Sequence, residues 1–322
     1  MFASVLNTMP DASTEVFVPT VFNHNNRVAT LAMTERVIGH GKSFASFGEI
    51  VQGRLSNGED FLVTIPIDMW TNCELISEPI DGLSWVDAQL SKSRQVAEYM
   101  LSLLGLSLGV KISLNFTKNI PIGKGLSSST ADLLAVLRAF QDAFAMTLDE
   151  RFISQLFTKI EPHDGLHYSM SVAYNHRQGN LLHKLNYIPD FTIVAVDVGG
   201  ELSTIEYNKN LNFPADVLSE YDALYQQLLT AFANKDDLAI ARCAHKSTEL
   251  HVNRTDNPFL ARVLKKAATM NVLGILATHS GTCGGFLLPG NATEEQLCAV
   301  EHEVAGIGHI FRTKTLKRLF YP

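Results

Sequence analysis

The sequence predicts an α+β protein of two globular domains, and three observations carry that prediction. A chain of 322 residues with 46% hydrophobic content is long enough for one large or two ordinary cores. Segments of strand-like and helix-like periodicity are mixed without strict alternation. A glycine- and serine-rich turn at residues 121–131 joins a strand to a long helix.

The first forty residues show weak periodicity and a polar cluster from Asn23 to Arg27, and read as an N-terminal extension with one strand around Val16 to Val21. Such a segment can cover an edge strand, mediate a homodimer or stay mobile. Strands are expected at Phe44 to Val51, Phe61 to Ile67 and Cys73 to Ile76, with a turn at Asn57-Gly58 between the first two. A helix at 93–105 and a strand from Val110 to Phe116 follow. The long helix from Ser127 to about Met146 places Leu133, Val136, Leu137, Phe140 and Phe144 on one face. Another helix spans about 150–159, and a hairpin-like stretch runs from Asp164 to Gly179. Phe191 to Val198, a continuous apolar run ending at Gly199-Gly200, reads as a buried strand near the start of a second domain. The remainder predicts helices at 215–233, 236–249 and 258–270, strands at 272–278 and 284–288, a helix at 293–304 and a strand at 308–314. The expected division is 1–40 extension, 41–188 N-terminal domain and 189–322 C-terminal domain.

Charge and cysteine usage exclude several classes. Lys plus Arg number 26 against 33 Asp plus Glu, so a net charge of −7 offers no field for a phosphate backbone, and no nucleic-acid partner is expected. Cys73, Cys243, Cys283 and Cys298 are widely spaced without a CxxC pair, which fits free thiols in a reducing compartment. Asp11 and Glu15 interrupt any secretory leader, and the most apolar stretch, about Val272 to Leu288, is too short and too polar for a membrane span. A cytoplasmic protein without a membrane partner is expected.

The chemistry concentrates in four segments. Pro121-Ile122-Gly123-Lys124-Gly125-Leu126-Ser127-Ser128-Ser129-Thr130-Ala131 opens the long helix. Its glycines admit a ligand close to the backbone, successive amides and the helix dipole favour an anion, and phosphate is the natural occupant. Lys124 adds charge, and Ser128 or Ser129 adds a hydroxyl for phosphate or Mg²⁺. The plainer alternative is a serine-capped helix after a tight turn. The spacing is not that of a Walker A loop. Phe47-Gly48-Glu49-Ile50-Val51-Gln52-Gly53 ends an early strand, and His279-Ser280-Gly281-Thr282-Cys283-Gly284-Gly285 links two late ones. Taken singly, Glu49 reads as the partner of a nearby cation and the late segment as a hairpin loop, with Cys283 exposed beside the site. Glu161-Pro162-His163-Asp164-Gly165 supplies carboxylates, or merely a turn.

Together and in this order, the glycine segments resemble the GHMP kinase superfamily, and the wording around Glu49 and Ser280 resembles its L-threonine kinase branch, which serves cobalamin synthesis and propanediol utilisation. Ser127 stands where that family usually has a third glycine, Thr130 where it usually has alanine, and His163 at a variable position. The resemblance implies a ribosomal-protein-S5-like N-terminal domain and a ferredoxin-like C-terminal domain. It further implies ATP and Mg²⁺ as cofactors and a small hydroxylated metabolite as substrate, L-threonine foremost, with L-homoserine and L-serine open. Pro121, Gly123, Lys124, Gly125, Leu126, Ser127, Ser128 and Ser129 would then hold the nucleotide, and Ser129 with Glu161 the metal. Asp164 would serve the acceptor hydroxyl, and Glu49, Gln52, Ser280, Gly281 and Thr282 would line the acceptor pocket. Two rival expectations are a noncatalytic nucleotide binder of the same fold and a metallohydrolase with His163 and His167 four residues apart on a helix. Pro162 and Gly165 argue against that helix. The polar run His245, Glu249, His251, Asn253 and Arg254 reads as a solvated helix end, and His176 as one of several surface or hydrogen-bonded histidines.

Overall fold

The computed structural model describes residues 35–81, 83–85, 91–106, 109–168, 170–200, 213–278 and 282–316. The expected strand near Val16 to Val21 and the expected pocket residues Ser280 and Gly281 lie outside them. Chain order runs β1 (Val37–Arg54), β2 (Asp60–Pro79), β3 (Leu83–Trp85), α1 (Ser91–Leu103), β4 (Val110–Lys118), α2 (Ser128–Ala143), α3 (Glu150–Thr158), β5 (Val172–Asn175) and β6 (Asn180–Lys184). It continues with β7 (Phe191–Asp197), α4 (Ala215–Ala233), α5 (Asp237–Thr255), α6 (Pro258–Ala267), β8 (Gly274–Ala277), β9 (Cys283–Pro289), α7 (Glu294–Val304) and β10 (His309–Lys314). The mixed α+β class follows the sequence expectation.

One sheet carries the strands in the order β10-β7-β9-β8-β1-β2-β4-β3, with β5 pairing β2 and β6 pairing β5. The β1–β2 hairpin turns at Gly58, whose φ of +87° suits glycine. β1 is longer than its sequence suggested, and its register against β2 shifts between Phe44 and Ala45, between Ser46 and Glu49, and between Glu49 and Val51. Such irregularities re-aim side chains. Here they fall where β1 meets β8, through the pairing of Glu49 with Ala277. Gly48, at φ +50°, lets the chains close: a Cβ there would lie 2.5 Å from the Ala277 carbonyl oxygen.

The two expected strands at 61–67 and 73–76 are one strand, β2. Its polar middle is satisfied from outside, with Trp70 N donating to Asn119 Oδ1 at 2.7 Å and Thr71 Oγ1 to Asp132 Oδ1 at 2.9 Å. β3 was not anticipated; three residues pairing parallel to β4 give no periodic signal. The hairpin after Asp164 begins later than expected, because residues 161–168 form a loop before β5.

Two of the hydrophobic clusters make up most of the interior. The larger includes Phe47, Ile50, Phe61 and Ile65 of the hairpin with Leu133, Val136, Leu137 and Phe140 of α2, all buried. Contact is close enough that a Cβ on Gly41 of β1 would lie 1.9 Å from the Ala135 carbonyl oxygen, so α2 sits flush on β1. The smaller core joins Val194, Ile275, Phe286, Leu288, Leu297 and Val300. α5 continues to Thr255, so the polar run at 245–254 makes up its last turns, with Asn253 exposed and Arg254 in the final turn. His251 is buried there, and Arg254 lies over the Phe213 ring at 4.8 Å, ring stacking taking the place of solvent. No helix among the described residues is long and apolar enough to cross a membrane. All four cysteines are free: Cys73, Cys243 and Cys283 are buried and Cys298 is exposed.

Candidate active site

Four helices begin with side-chain caps: Asp149 accepts from Phe152 N, Asp236 from Ala239 N, Asn257 from Leu260 N and Thr293 from Gln296 N. α2 does not. Its N-cap, Ser127, makes no side-chain cap bond and sits at φ +59° in the left-handed region. The Ser127 hydroxyl donates instead to Asp164 Oδ2 and meets the Ser46 hydroxyl. This removes the serine-capped alternative and leaves the first-turn amides of α2 for another acceptor. Gly123 and Gly125, at φ +72° and +68°, shape the loop before them. Leu126 is buried and anchors the loop, while Ile122 is exposed. Pro121, Ser128 and Ser129 are half-buried at its rim.

The loop after α3 brings the carboxylates. Ser129 Oγ donates to Glu161 Oε1 at 2.6 Å, and Lys92 Nζ of α1 donates to Glu161 Oε2. Asp164 stands beside the N-terminus of α2, held by Ser127. Burial pushes its carboxyl up to about 6; the Ser127 bond opposes this, and the nearby Glu161 charge adds to it. Glu49 is buried, accepts from Gln52 Nε2 at 3.4 Å, and is held well above the usual carboxylate range by burial and then by Asp164. No cation pairs with Glu49 among the described residues, contrary to the plainer expectation for it. Thr282 is buried near the end of β7, where its carbonyl accepts from Val198 N at 3.2 Å.

Lys124 departs from expectation. It forms an ion pair with Asp197 Oδ2 at 3.1 Å and donates to the Gly200 carbonyl at 2.8 Å, so its charge ties the glycine loop to the end of β7. Cys283 is buried, not exposed, and burial pushes its thiol far up.

His163 and His167 are not on a helix. Gly165 N donates to His163 Nδ1 at 3.4 Å, so the neutral ring carries its proton on Nε2, which meets the Ser154 carbonyl at 3.2 Å and Tyr174 Oη at 2.9 Å. With the His163 amide on the His176 carbonyl at 3.3 Å, this network fixes the Glu161–Gly165 loop. His163, His167 and His176 are all buried and held below their usual pKa, chiefly by burial. Among the described residues no group of three or more His, Cys, Asp or Glu side chains is arranged to hold a metal ion, and the metallohydrolase reading loses its geometric support.

Sequence reasoning missed Ser46, Lys92 and Asp197. Each lies on an element remote in sequence from α2 and the Glu161–Asp164 loop: Ser46 and Asp197 in apolar strands, Lys92 in the polar first turn of α1. Ser46, a serine inside the apolar run of β1, was the one available signal.

Residues 91–171, from α1 through this loop, match the family described as GHMP kinases N terminal domain. This segment is a GHMP kinase N-terminal domain. The L-threonine kinase of Citrobacter freundii is 24% identical over 254 residues, covering 77% of this chain and 85% of the relative. Among solved structures, a homoserine kinase from Cytophaga hutchinsonii superposes with TM-score 0.65 at 16% identity, over 89% of this chain and 96% of that one. A mevalonate pyrophosphate decarboxylase from Streptococcus pyogenes gives 0.66 at 12% identity, over 89% and 99%. The chain therefore has the GHMP kinase fold, which a decarboxylase shares, so the site must argue the reaction.

Proposed function

We propose that this chain, a phosphotransferase of the GHMP kinase type, transfers the terminal phosphoryl group of ATP to the hydroxyl of a small metabolite, L-threonine or a similar amino alcohol. The observation that carries the reading is the turn of Ser127 away from α2. One residue both leaves the helix amides open to phosphate and orients the carboxylate beside them. In this reading residues 41–188 form the ATP-binding domain and 189–322 the second domain. The free buried thiols accord with work in the cytoplasm.

The amides from Gly123 to Ser129 bind the phosphates, and Asp164 accepts or directs the proton of the acceptor hydroxyl as the new oxygen–phosphorus bond forms. Ser129 and Glu161 would hold Mg²⁺, and their adjacent hydroxyl and carboxylate oxygens fit a hard cation that keeps most of its other ligands from water and phosphate. Mg²⁺ bound there supplies neutralisation of phosphate charge. Glu49 and Gln52 line the acceptor side, Glu49 as a buried acid able to meet a polar group of the acceptor.

Mg²⁺-dependent ADP release across L-threonine, L-serine and L-homoserine, with the phosphorylated product identified by mass, tests the reaction. Release stimulated by L-threonine is expected. Nucleotide binding without release for any acceptor would point to a noncatalytic binder.

Ser127→Gly gives a second expectation. The hydroxyl bond lowers the Asp164 pKa, so its loss should move the acid limb of kcat/KM to higher pH by about one unit. An unshifted limb would separate Ser127 from the working carboxylate.

A further inference from the structure

Three lysines lie around the glycine loop. Lys118 is paired with Asp132 at 2.6 Å and Lys124 with Asp197 at 3.1 Å, with side chains only 24% and 16% exposed. Neither of those carboxylates belongs to the proposed metal pair, so nothing in the reaction asks either lysine to move. Lys92 differs on both counts. Its partner is Glu161, and its side chain is 49% exposed on the first turn of α1.

Both oxygens of Glu161 are occupied: Oε1 by the Ser129 hydroxyl and Oε2 by the Lys92 ammonium. A divalent cation held by Ser129 and Glu161 needs a lone pair that Lys92 now takes, and an ammonium left in place would repel it. The Glu161 side chain is 13% exposed and its loop is pinned by His163, so the mobile partner is the lysine. A lysine is a compact cation on a flexible stem, and the densest negative charge to reach it would be the phosphates over the N-terminus of α2.

We infer that Lys92 is the stand-in cation of the metal site in the nucleotide-free protein, and that on loading it passes from Glu161 to the nucleotide phosphates as a direct ligand. This rests on the reading of Ser129 and Glu161 as the metal pair. It adds a phosphate-binding residue from α1, outside the glycine loop, and makes metal and lysine compete for one carboxylate.

The test uses Mn²⁺ as the probe, titrated calorimetrically into nucleotide-free full-length protein, alongside ATP kinetics. Lys92→Met should tighten Mn²⁺ binding about tenfold by removing the competitor, and raise KM for ATP about tenfold by removing the ligand. Lys92→Arg, which keeps the charge, should recover most of the KM effect. Glu161→Gln should weaken Mn²⁺ binding at least tenfold. If Lys92→Met changes neither constant while Glu161→Gln does weaken Mn²⁺, the role of Lys92 is overturned and the metal pair stands. If Glu161→Gln leaves Mn²⁺ binding unchanged, the metal pair fails and the inference falls with it. A circular-dichroism melt within a degree of wild type confirms that each variant is folded.

Discussion

Asp164→Asn should reduce turnover by about 10² to 10⁴ fold while leaving ATP affinity nearly unchanged. The asymmetry follows from where the residue stands. Asp164 meets the phosphate loop only through the Ser127 hydroxyl, and an amide oxygen can still accept that bond, so the backbone around α2 keeps its shape. What asparagine cannot do is take a proton from an alcohol. The pH profile gives an independent reading: with the carboxyl raised to about 6, wild-type kcat/KM should climb as pH rises through 6 and then level, whereas the variant should lack that limb. Steady-state turnover and calorimetric ATP binding measured on the same preparation decide the matter. Near-wild-type turnover would remove Asp164 from the chemistry.

The second large effect is loss of stability in mild acid. His163 and His176 are pushed down to about 4 and His251 to about 3, and His167 lies well below its usual value, each mainly by burial. In the unfolded chain these rings titrate near 6.5, so between about pH 6.5 and 4 the unfolded state binds protons that the folded state refuses. Stability is then fully present above the unfolded value and falls as pH drops. Glu49 and Asp164 act in the opposite sense: their raised folded pKa values mean the native state takes up protons that the unfolded state releases. Four histidines outweigh two carboxyls, so unfolding takes up protons on balance near pH 5 and stability falls as pH drops below the unfolded histidine range. Urea midpoints at pH 7, 6 and 5 measure the slope. A flat profile would mean that the buried rings are already matched by proton uptake elsewhere in the native state.

Much of the architecture was legible because it is local. The α2 helix showed in the three- and four-residue spacing of Leu133, Val136, Leu137 and Phe140, and β7 in the apolar run from Phe191. Elements that depend on a distant partner were not. β2 is continuous because Asn119 and Asp132 satisfy its polar middle, β3 exists because β4 offers an edge, and α5 runs on because Phe213 receives Arg254. The glycine loop and the Glu161–Asp164 segment were visible as motifs. That Ser127 binds Asp164, that Lys124 turns to Asp197, and that Cys283 is sealed inside were not.

By itself the sequence determined which segments are candidates for chemistry, since glycines, serines and carboxylates announce themselves by type and spacing. Only the tertiary structure decided which of them meet. An N-cap serine and a carboxylate 37 positions later share a hydrogen bond because α2 lies flush on β1 while buried histidines hold the following loop against the same helix end. Spacing along a chain carries no information about such packing.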